Sequence, residues 1–482
     1  MRTSIKKNFL YNATLNVVNV LFPIITIPYV SRILGVEQIG VFSFVVTIVS
    51  YFSLFAALGM PLYGTREIAK VMGDNLKLNK LFNELFSINV ISSIFFTVVF
   101  CISINVIPIF IENRTYLFIS GISLYFCALN IDWFYSGTEN FKLITFRSIV
   151  VKLLMIISLF LFVRTKDDLS IYVLLNALSL LGNQIWNVLA LRYTGFNIKF
   201  TVHSLRKHLK SLCILLFSAI AMQIYLMIDT LMLGFMSTYT EVGLYSSAIK
   251  SIRIVMPVTI ALSVVLLPRL SYLAENGSKE DATTLLNKAF DVIMLFAIPL
   301  AFFFFFISDK FVPFFFGVGY DGAIIPMKIC SFLILVSNMS YFASVQILAM
   351  YSFEKEFLLS TIAGMLFNIV GNFCLISTYG AIGASIASLI GELAVTFVSF
   401  YFVYRNGLYK LRWSYLFKCV FSGISFFNTG IRASNFISKF GFLLSSSPAN
   451  SIFLRYSLAL KRVSLKSPAV PILVVGIFPF VP

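Results

Sequence analysis

Residues 22–70 read FPIITIPYVSRILGVEQIGVFSFVVTIVSYFSLFAALGMPLYGTREIAK, and this stretch decides the fold. It holds two apolar spans, and the short loop between them carries Arg32, Gly35, Glu37 and Gly40. An apolar run of about 20 residues is what an α-helix needs to cross the hydrocarbon core of a bilayer. The stretch therefore predicts a pair of membrane-crossing helices.

The composition of the whole chain extends this prediction to its other segments. Of the 482 residues, 59% are hydrophobic and 12% are charged, and soluble domains carry about twice that charged fraction. Backbone polar groups in a bilayer must be satisfied within each span, which favours helices. We expect an all-α polytopic membrane protein.

Twelve membrane spans are predicted from the apolar runs. They are residues 8–30, 38–59, 87–110, 116–136, 145–163, 169–191, 211–235, 243–267, 289–308, 324–350, 357–378 and 382–404. Basic residues collect in alternate loops, at a ratio of about four to one. The positive-inside rule then predicts a cytoplasmic N-terminus.

A fainter copy of the opening stretch returns about two hundred residues later, in LGFMSTYTEVGLYSSAIKSI (233–252). The residues that correspond are Glu37, Gly40, Phe42 and Ser43 with Glu241, Gly243, Tyr245 and Ser246. The basic linker 191–210 separates six spans from six, so both halves begin on the same side of the membrane. This pattern predicts a parallel repeat, with six-helix lobes at 1–200 and 201–412 around a central cavity.

Three segments resemble the bacterial polysaccharide (O-antigen) flippases, whose superfamily includes the lipid II flippases and the multidrug/cation antiporters. The first segment matches at Pro23, Pro28, Tyr29, Arg32, Leu34, Gly35, Gly40, Tyr51, Gly59, Tyr63, Gly64, Arg66 and Glu67. The others are IDWFYSGTENFKLITFRS (131–148) and PRL (268–270). The resemblance covers residues 1 to about 410.

The resemblance implies a non-enzymatic transporter in the bacterial cytoplasmic (inner) membrane, which moves undecaprenyl-diphosphate-linked oligosaccharide by alternating access. It needs no cofactor, and an H⁺ or Na⁺ gradient is a candidate driving force. Candidate partners besides the substrate and membrane lipids are a polysaccharide polymerase and chain-length machinery. A multidrug/cation antiporter is the alternative, and a membrane glycan polymerase or glycosyltransferase is a weaker one.

Ionisable residues inside the spans are the candidate site residues, because burying a charge in a bilayer is costly. Asp229 lies among apolar residues and is a candidate for ion coupling, or for a structural pair. Lys250 and Arg253 are three residues apart, so they share a helical face. Two cations suit a diphosphate, because Arg binds phosphate oxygens in bidentate fashion. Pairing of one of them with Asp229 or Glu241 is the structural alternative.

Three further charged residues lie near the ends of spans or at a helix contact. The resemblance places Arg32 in the cavity, near its outer end, as a third substrate-binding cation. Asp132 neighbours Trp133 and Tyr135, so it is either a cavity residue or an interfacial one. Glu392 is a cavity candidate or a helix–helix hydrogen-bonding group.

Other function classes find little support in the sequence. The net charge is +17, but the basic residues lie mainly between apolar runs, and no nucleic-acid-binding module is recognisable. The cysteines have no metal-site spacing, and His203 and His208 share one basic loop, so neither a metal site nor a catalytic residue is predicted. Residues 413–482 are basic and Pro-rich, and we expect an atypical, poorly ordered tail.

Overall fold

The computed structural model describes residues 5–192, 199–201, 206–276 and 279–410, and within these ranges the regular structure is entirely helical. The tail at 413–482 and His203 lie outside the described residues. The chain forms two compact units. Unit 1 comprises Met1–Ser246, Pro313–Tyr320 and Ile376–Ala381, and unit 2 comprises Ser247–Val312, Asp321–Leu375 and Ile382–Pro482. The predicted lobes at 1–200 and 201–412 stay a prediction.

Fourteen α-helices are found along the described chain. They are α1 Ile5–Ala57, α2 Met60–Val71, α3 Asn75–Val106, α4 Pro108–Glu112, α5 Arg114–Ser120, α6 Ile122–Tyr125, α7 Asp132–Gly137, α8 Phe141–Phe162, α9 Leu169–Arg192, α10 Arg206–Met236, α11 Tyr239–Asn276, α12 Lys279–Phe316, α13 Ile324–Tyr341 and α14 Glu354–Arg405. Three 3₁₀ turns (Cys127–Leu129, Lys166–Asp168 and Asp321–Ala323) and a π-helix (Phe342–Ala349) complete the order.

The helical structure and its long apolar helices confirm the all-α polytopic fold class. Seven helical stretches of the described chain are long and apolar enough to cross a membrane, and two shorter apolar ones lie at Arg114–Leu129 and Gln223–Met236. Helix α1 has 53 residues and α14 has 52, so at 1.5 Å per residue each is over twice as long as the bilayer core is thick. Each therefore supplies two of the predicted spans.

Single glycines divide these two long helices. Gly35 (φ 78°, ψ 172°) interrupts α1, and Gly380 (φ 52°, ψ −126°) interrupts α14. Only glycine adopts such conformations without strain. The loop predicted between the first two spans is thus reduced to one residue, while Pro23 and Pro28 lie within continuous helix.

The fourth predicted span is not the single helix 116–136 that its apolar run suggested. It is divided into α5, α6, a 3₁₀ turn and α7. The breaks fall at Gly121, whose backbone angles remain right-handed helical, and at Phe126 and Asn130–Ile131, where the backbone leaves helical geometry. Gly and Asn are weak helix formers. A prediction made only from the length of an apolar run does not take them into account.

Each unit has its own apolar core. In unit 1, Phe82 is buried among Trp133, Phe134 and Leu212, at one end of α2, α3 and α10. In unit 2, Phe290 of α12 packs against Phe342 of the π-helix. Both cores are built from aromatic contacts between helices that are distant in sequence.

A band of exposed apolar side chains follows one face of α3. Ile94, Phe95, Val98, Ile102 and Val106 are all more than half exposed, and their spacing of three to four residues puts them on one side of the helix. A water-soluble monomer rarely presents an apolar surface this continuous. The band is therefore the face that α3 presents to lipid.

Candidate functional site

The positions that the sequence repeat identified lie against each other within unit 1. Gly40 of α1 faces the carbonyl oxygen of Tyr239, and Gly243 of α11 faces the carbonyl oxygen of Val36, so closely that a Cβ on either glycine would overlap that oxygen. One turn further on, Ser43 donates a hydrogen bond to Ser246 at 3.1 Å. We call this contact the glycine seam. Corresponding residues meet reciprocally, as they do about a local two-fold axis.

Asp229 is buried next to this seam, on α10, with 2% of its surface exposed. The hydroxyl of Tyr245 donates a hydrogen bond to Asp229 Oδ2 at 2.7 Å. The buried Tyr51 hydroxyl of α1 lies within electrostatic reach of the same carboxylate. The carboxylate of α10 thus accepts a hydrogen bond from α11 and lies near a hydroxyl of α1, which suits either a structural or an ion-binding role.

Arg32 lies at the end of the first half of α1 and has an exposed side chain. Its guanidinium donates a short hydrogen bond to the backbone carbonyl of Phe314, in the last turn of α12. The final carbonyls of a helix lack intrahelical partners and carry partial negative charge, so a cation is favourable there. Tyr320 adds a second contact with this segment, by donating to the Ser31 carbonyl at 3.4 Å.

Glu241 stabilises the start of a helix rather than standing free. Its Oε2 accepts a hydrogen bond of 2.6 Å from the backbone N–H of Ala381, the first residue after the break in α14. A carboxylate is stabilising at a helix N-terminus because the first N–H groups have no helical partner. Gly380 leaves the space for it, since a Cβ there would overlap that oxygen if the chain did not move.

Asp132 is the acidic member of a polar cluster that the sequence did not reveal as a cluster. Arg147 of α8 binds it in bidentate fashion, with Nη1–Oδ1 at 2.9 Å and Nη2–Oδ2 at 3.1 Å. Asn187 of α9 donates to the same Oδ1 at 2.8 Å and accepts a short hydrogen bond from Arg147. The hydroxyl of Tyr135 donates to the Asn187 carbonyl at 2.6 Å. The guanidinium is 2% exposed and the carboxylate 43%.

The other three predicted site residues belong to unit 2. Lys250 and Arg253 are half-buried on α11, on one face as their spacing predicts. Glu392 is buried on α14, next to Gly391, whose missing side chain lets it approach the Gly364 carbonyl closely. Arg32, Asp132 and Asp229 lie in unit 1, at separate positions.

Several polar residues within the spans escaped sequence reasoning. Arg147 and Asn187 are polar residues in apolar helices, which the sequence shows. The sequence does not show that both side chains contact Asp132. Lys152 of α8 donates a short hydrogen bond to Asn19 and lies 5.3 Å from the ring centre of Phe22, both on α1. His208 was expected in a loop and is instead buried on α10.

The fold of this chain is similar to that of membrane proteins whose structures have been solved. The chain superposes on "Lipid II flippase MurJ, inward closed conformation" with a TM-score of 0.64 and 16% identity, covering 96% of this chain and 99% of that one. It also superposes on an inward-facing multidrug resistance MATE family transporter of the MOP superfamily, with a TM-score of 0.58 and 15% identity over 87% and 97% of the chains. At these identities the likeness concerns the fold.

Sequence comparison gives the family. The Polysaccharide biosynthesis protein model matches residues 5–274, more than half of the chain, and this protein belongs to that family. A relative from Escherichia coli (strain K12), "Putative O-antigen transporter", is 26% identical over 420 residues, 84% of this chain and 98% of its own. A relative of the same name from Shigella dysenteriae is 25% identical over 271 residues, 56% of this chain and 68% of its own.

Proposed function

We propose that this protein moves an undecaprenyl-diphosphate-linked oligosaccharide from the cytoplasmic to the outer leaflet of the bacterial inner membrane by alternating access. The observation that carries the proposal is the similarity to the Escherichia coli protein named as an O-antigen transporter, which extends over 98% of that relative. The assignment as a transporter rather than an enzyme rests on the same family relation.

The charged residues of the spans fit a diphosphate-bearing substrate. Arg32, Lys250 and Arg253 are cations at or within membrane helices, and a cation held in low dielectric attracts phosphate more strongly than one in water. Arg can chelate two phosphate oxygens at once. In this proposal Lys250 and Arg253, on one face of α11, bind phosphate oxygens, Arg32 is a further candidate phosphate-binding cation, and Glu392 and Asp132 are helix-packing residues.

Asp229 is the proposed ion-coupling residue. A buried carboxylate can exchange H⁺ or Na⁺ when its surroundings alternate between wet and dry states. The Tyr245 hydroxyl and the nearby Tyr51 hydroxyl supply polar neighbours for either ion. In this proposal, the transporter opens to one side of the membrane when Asp229 carries the ion and to the other side when Asp229 has released it.

Genetic complementation tests the proposal. Expression in a cell that lacks its own O-antigen flippase should restore surface polysaccharide, provided that the cell makes the repeat unit this protein accepts. Arg253→Ala should reduce the restored polysaccharide at least tenfold at equal protein level. Arg405→Ala, an exposed arginine at the end of α14, is the matched control and should restore it fully. Full activity of Arg253→Ala would remove this residue from the mechanism.

An antiporter is the second candidate, favoured by the MATE-like fold and the buried Asp229. It predicts that expression lowers the accumulation of cationic dyes in an efflux-deficient cell, and that Asp229→Asn abolishes this effect. The two candidates differ in their transported substrate, so dye efflux without rescue of surface polysaccharide would favour the antiporter.

The proposed setting of the protein follows from its orientation and family. We propose that the N-terminus is cytoplasmic, which the positive-inside pattern of the sequence supports. A polysaccharide polymerase and chain-length machinery are the proposed partners, because they act on the repeat unit after it crosses the membrane.

A further inference from the structure

A cavity of about 450 Å³ lies in unit 1, and Arg32, Asp132 and Asp229 are not among its lining residues. It is open on one side and is bounded by α2, the first turns of α3 and the start of α10. Its lining residues are Tyr63, Glu67, Val71, Lys77, Lys80, Leu81, Glu84, Lys207 and His208. In the proposed orientation it opens at the cytoplasmic surface of the membrane.

The acidic residues of the cavity are already neutralised by neighbouring bases. Glu84 is buried and accepts an ion pair of 2.7 Å from Lys207. Glu67 is paired with Lys70 at 2.9 Å and with Arg66 at 3.2 Å. These carboxylates therefore leave no surplus of negative charge at the cavity.

Positive charge remains after these pairs are formed. Lys77 forms an ion pair with Asp74 at 3.2 Å but is largely exposed. Lys80 has no ion-pair partner among the residues that the structure describes. Both lysines extend from one face of α3, three residues apart. The cavity is thus complementary to an anion: the Lys80 ammonium offers N–H donors to it, and the Lys77 ammonium has further donors beside the one that faces Asp74.

A buried chain of polar side chains fixes the floor of the cavity. His208 is enclosed between the Tyr63 hydroxyl, 2.7 Å from Nδ1, and Glu84 Oε2, 3.2 Å from Nε2. Such a chain joins α2, α3 and α10 and holds the lysines of α3 in position over the opening. The site is therefore pre-organised by contacts between residues up to 145 positions apart.

The rim of the cavity is apolar as well as basic. Val71 and Leu81 line it, and Leu76, between the two lysines and the end of α2, is 87% exposed. Basic pockets with apolar edges at the cytoplasmic end of membrane helices suit lipid headgroups.

We propose that this cavity binds a phosphate group at the cytoplasmic membrane surface, held by Lys77 and Lys80 over the Tyr63–His208–Glu84 chain. An anionic phospholipid headgroup and a free phosphate compound share this chemistry, and the apolar rim favours the phospholipid. The inference does not rest on the proposed transport activity, because it concerns binding at a separate place in unit 1.

The test is binding by the purified full-length protein in two arms. In the lipid arm, nanodiscs of phosphatidylcholine with phosphatidylglycerol are used, and retained phosphatidylglycerol is measured by native mass spectrometry. In the soluble arm, pyrophosphate is titrated into protein in phosphatidylcholine nanodiscs. Each lysine near an anionic surface contributes about fivefold, so Lys77→Gln with Lys80→Gln should weaken the affected arm about 25-fold.

Two variants control this measurement. Lys142→Gln removes an exposed lysine outside the cavity, on the same proposed side of the membrane, and should leave both arms unchanged. Charge restoration by Lys77→Arg with Lys80→Arg should preserve binding. If the double Gln variant loses binding in one arm while Lys142→Gln keeps it, the result supports a phosphate site. The arm that is affected then shows whether the ligand is a phospholipid or a soluble phosphate compound. Equal binding by wild type and the double Gln variant in both arms overturns the proposal.

Discussion

Arg147 shows how one residue can determine the geometry of a membrane-embedded cluster. Its guanidinium satisfies both oxygens of Asp132 and contacts Asn187, so three helices meet at one planar group. The planar fork of Arg makes this possible, whereas a Lys ammonium is a point charge. Asp132 is therefore better explained as part of a structural cluster at the end of its span than as an isolated cavity charge.

Replacing Arg147 with Lys should destabilise unit 1, because one hydrogen bond of the bidentate pair is lost at a buried site. We expect a cost of about 1.5–3 kcal/mol, the range for hydrogen bonds to charged groups. Thermal unfolding of the full-length protein in detergent, followed by intrinsic fluorescence, measures it. Arg164→Lys, at an exposed arginine, is the control. An unchanged midpoint for Arg147→Lys would refute the structural role.

Asp74 gives a pH-dependent prediction outside the membrane. The backbone N–H of Lys77 donates to Asp74 Oδ1 at 3.1 Å and that of Leu76 at 3.2 Å, while the Lys77 ammonium pairs with the other oxygen. The Lys77 backbone hydrogen bond, followed by the Lys77 side chain, lowers the pKa of Asp74 below its usual value. Since the folded pKa is the lower one, the stabilisation exists above the unfolded pKa of about 3.9 and is lost as pH falls through the folded pKa.

Peptides covering residues 72–82 should therefore exchange hydrogen faster at pH 3 than expected from their protection at neutral pH, after correction for the intrinsic pH dependence of amide exchange. Asp74→Asn should remove this excess, because Asn also caps helices and does not titrate. Asp74→Ala should exchange faster at every pH. A wild-type profile that coincides with that of Asp74→Asn would count against the titration of this cap.

The glycine seam is a property of elements, because it sets how closely α1 and α11 approach. Gly40 and Gly243 each face a backbone carbonyl of the other helix, so an added Cβ requires the helices to separate. We expect Gly40→Ala and Gly243→Ala to cost about 1–3 kcal/mol each, the usual range for overpacking. Once the helices have separated for one methyl group, the second should cost less, so the double variant should be less than additive.

Gly182→Ala in α9 is the matched control for these variants. Its added Cβ would make ordinary contacts of 3.6 and 3.7 Å with Val151. Alanine within a helix is favoured over glycine by about 1 kcal/mol, so this variant should be neutral or stabilising. Equal melting temperatures for Gly40→Ala, Gly243→Ala and wild type would show that the seam is not closely packed.

The sequence predicted the elements well and their contacts poorly. Apolar length alone placed the helices, because a bilayer demands about 20 residues whatever the tertiary structure. The repeat made Ser43 and Ser246 counterparts in sequence, but only the structure shows that their hydroxyls are hydrogen-bonded to each other. The Asp132 cluster, the helix-capping role of Glu241 and the burial of His208 depend on contacts between residues 15 to 145 positions apart. No local pattern records such a distance.

The whole molecule has an orientation that follows from its charge distribution, and labelling can test it. In a variant without native cysteines, Lys166→Cys and Leu76→Cys introduce exposed thiols at positions that the positive-inside rule assigns to opposite sides of the membrane. A membrane-impermeant maleimide added to whole cells with a permeabilised outer membrane should label position 166 at once. Position 76 should react only after the inner membrane is also opened. The reverse pattern would invert the proposed topology, and with it the cytoplasmic placement of the phosphate site and the direction assigned to transport.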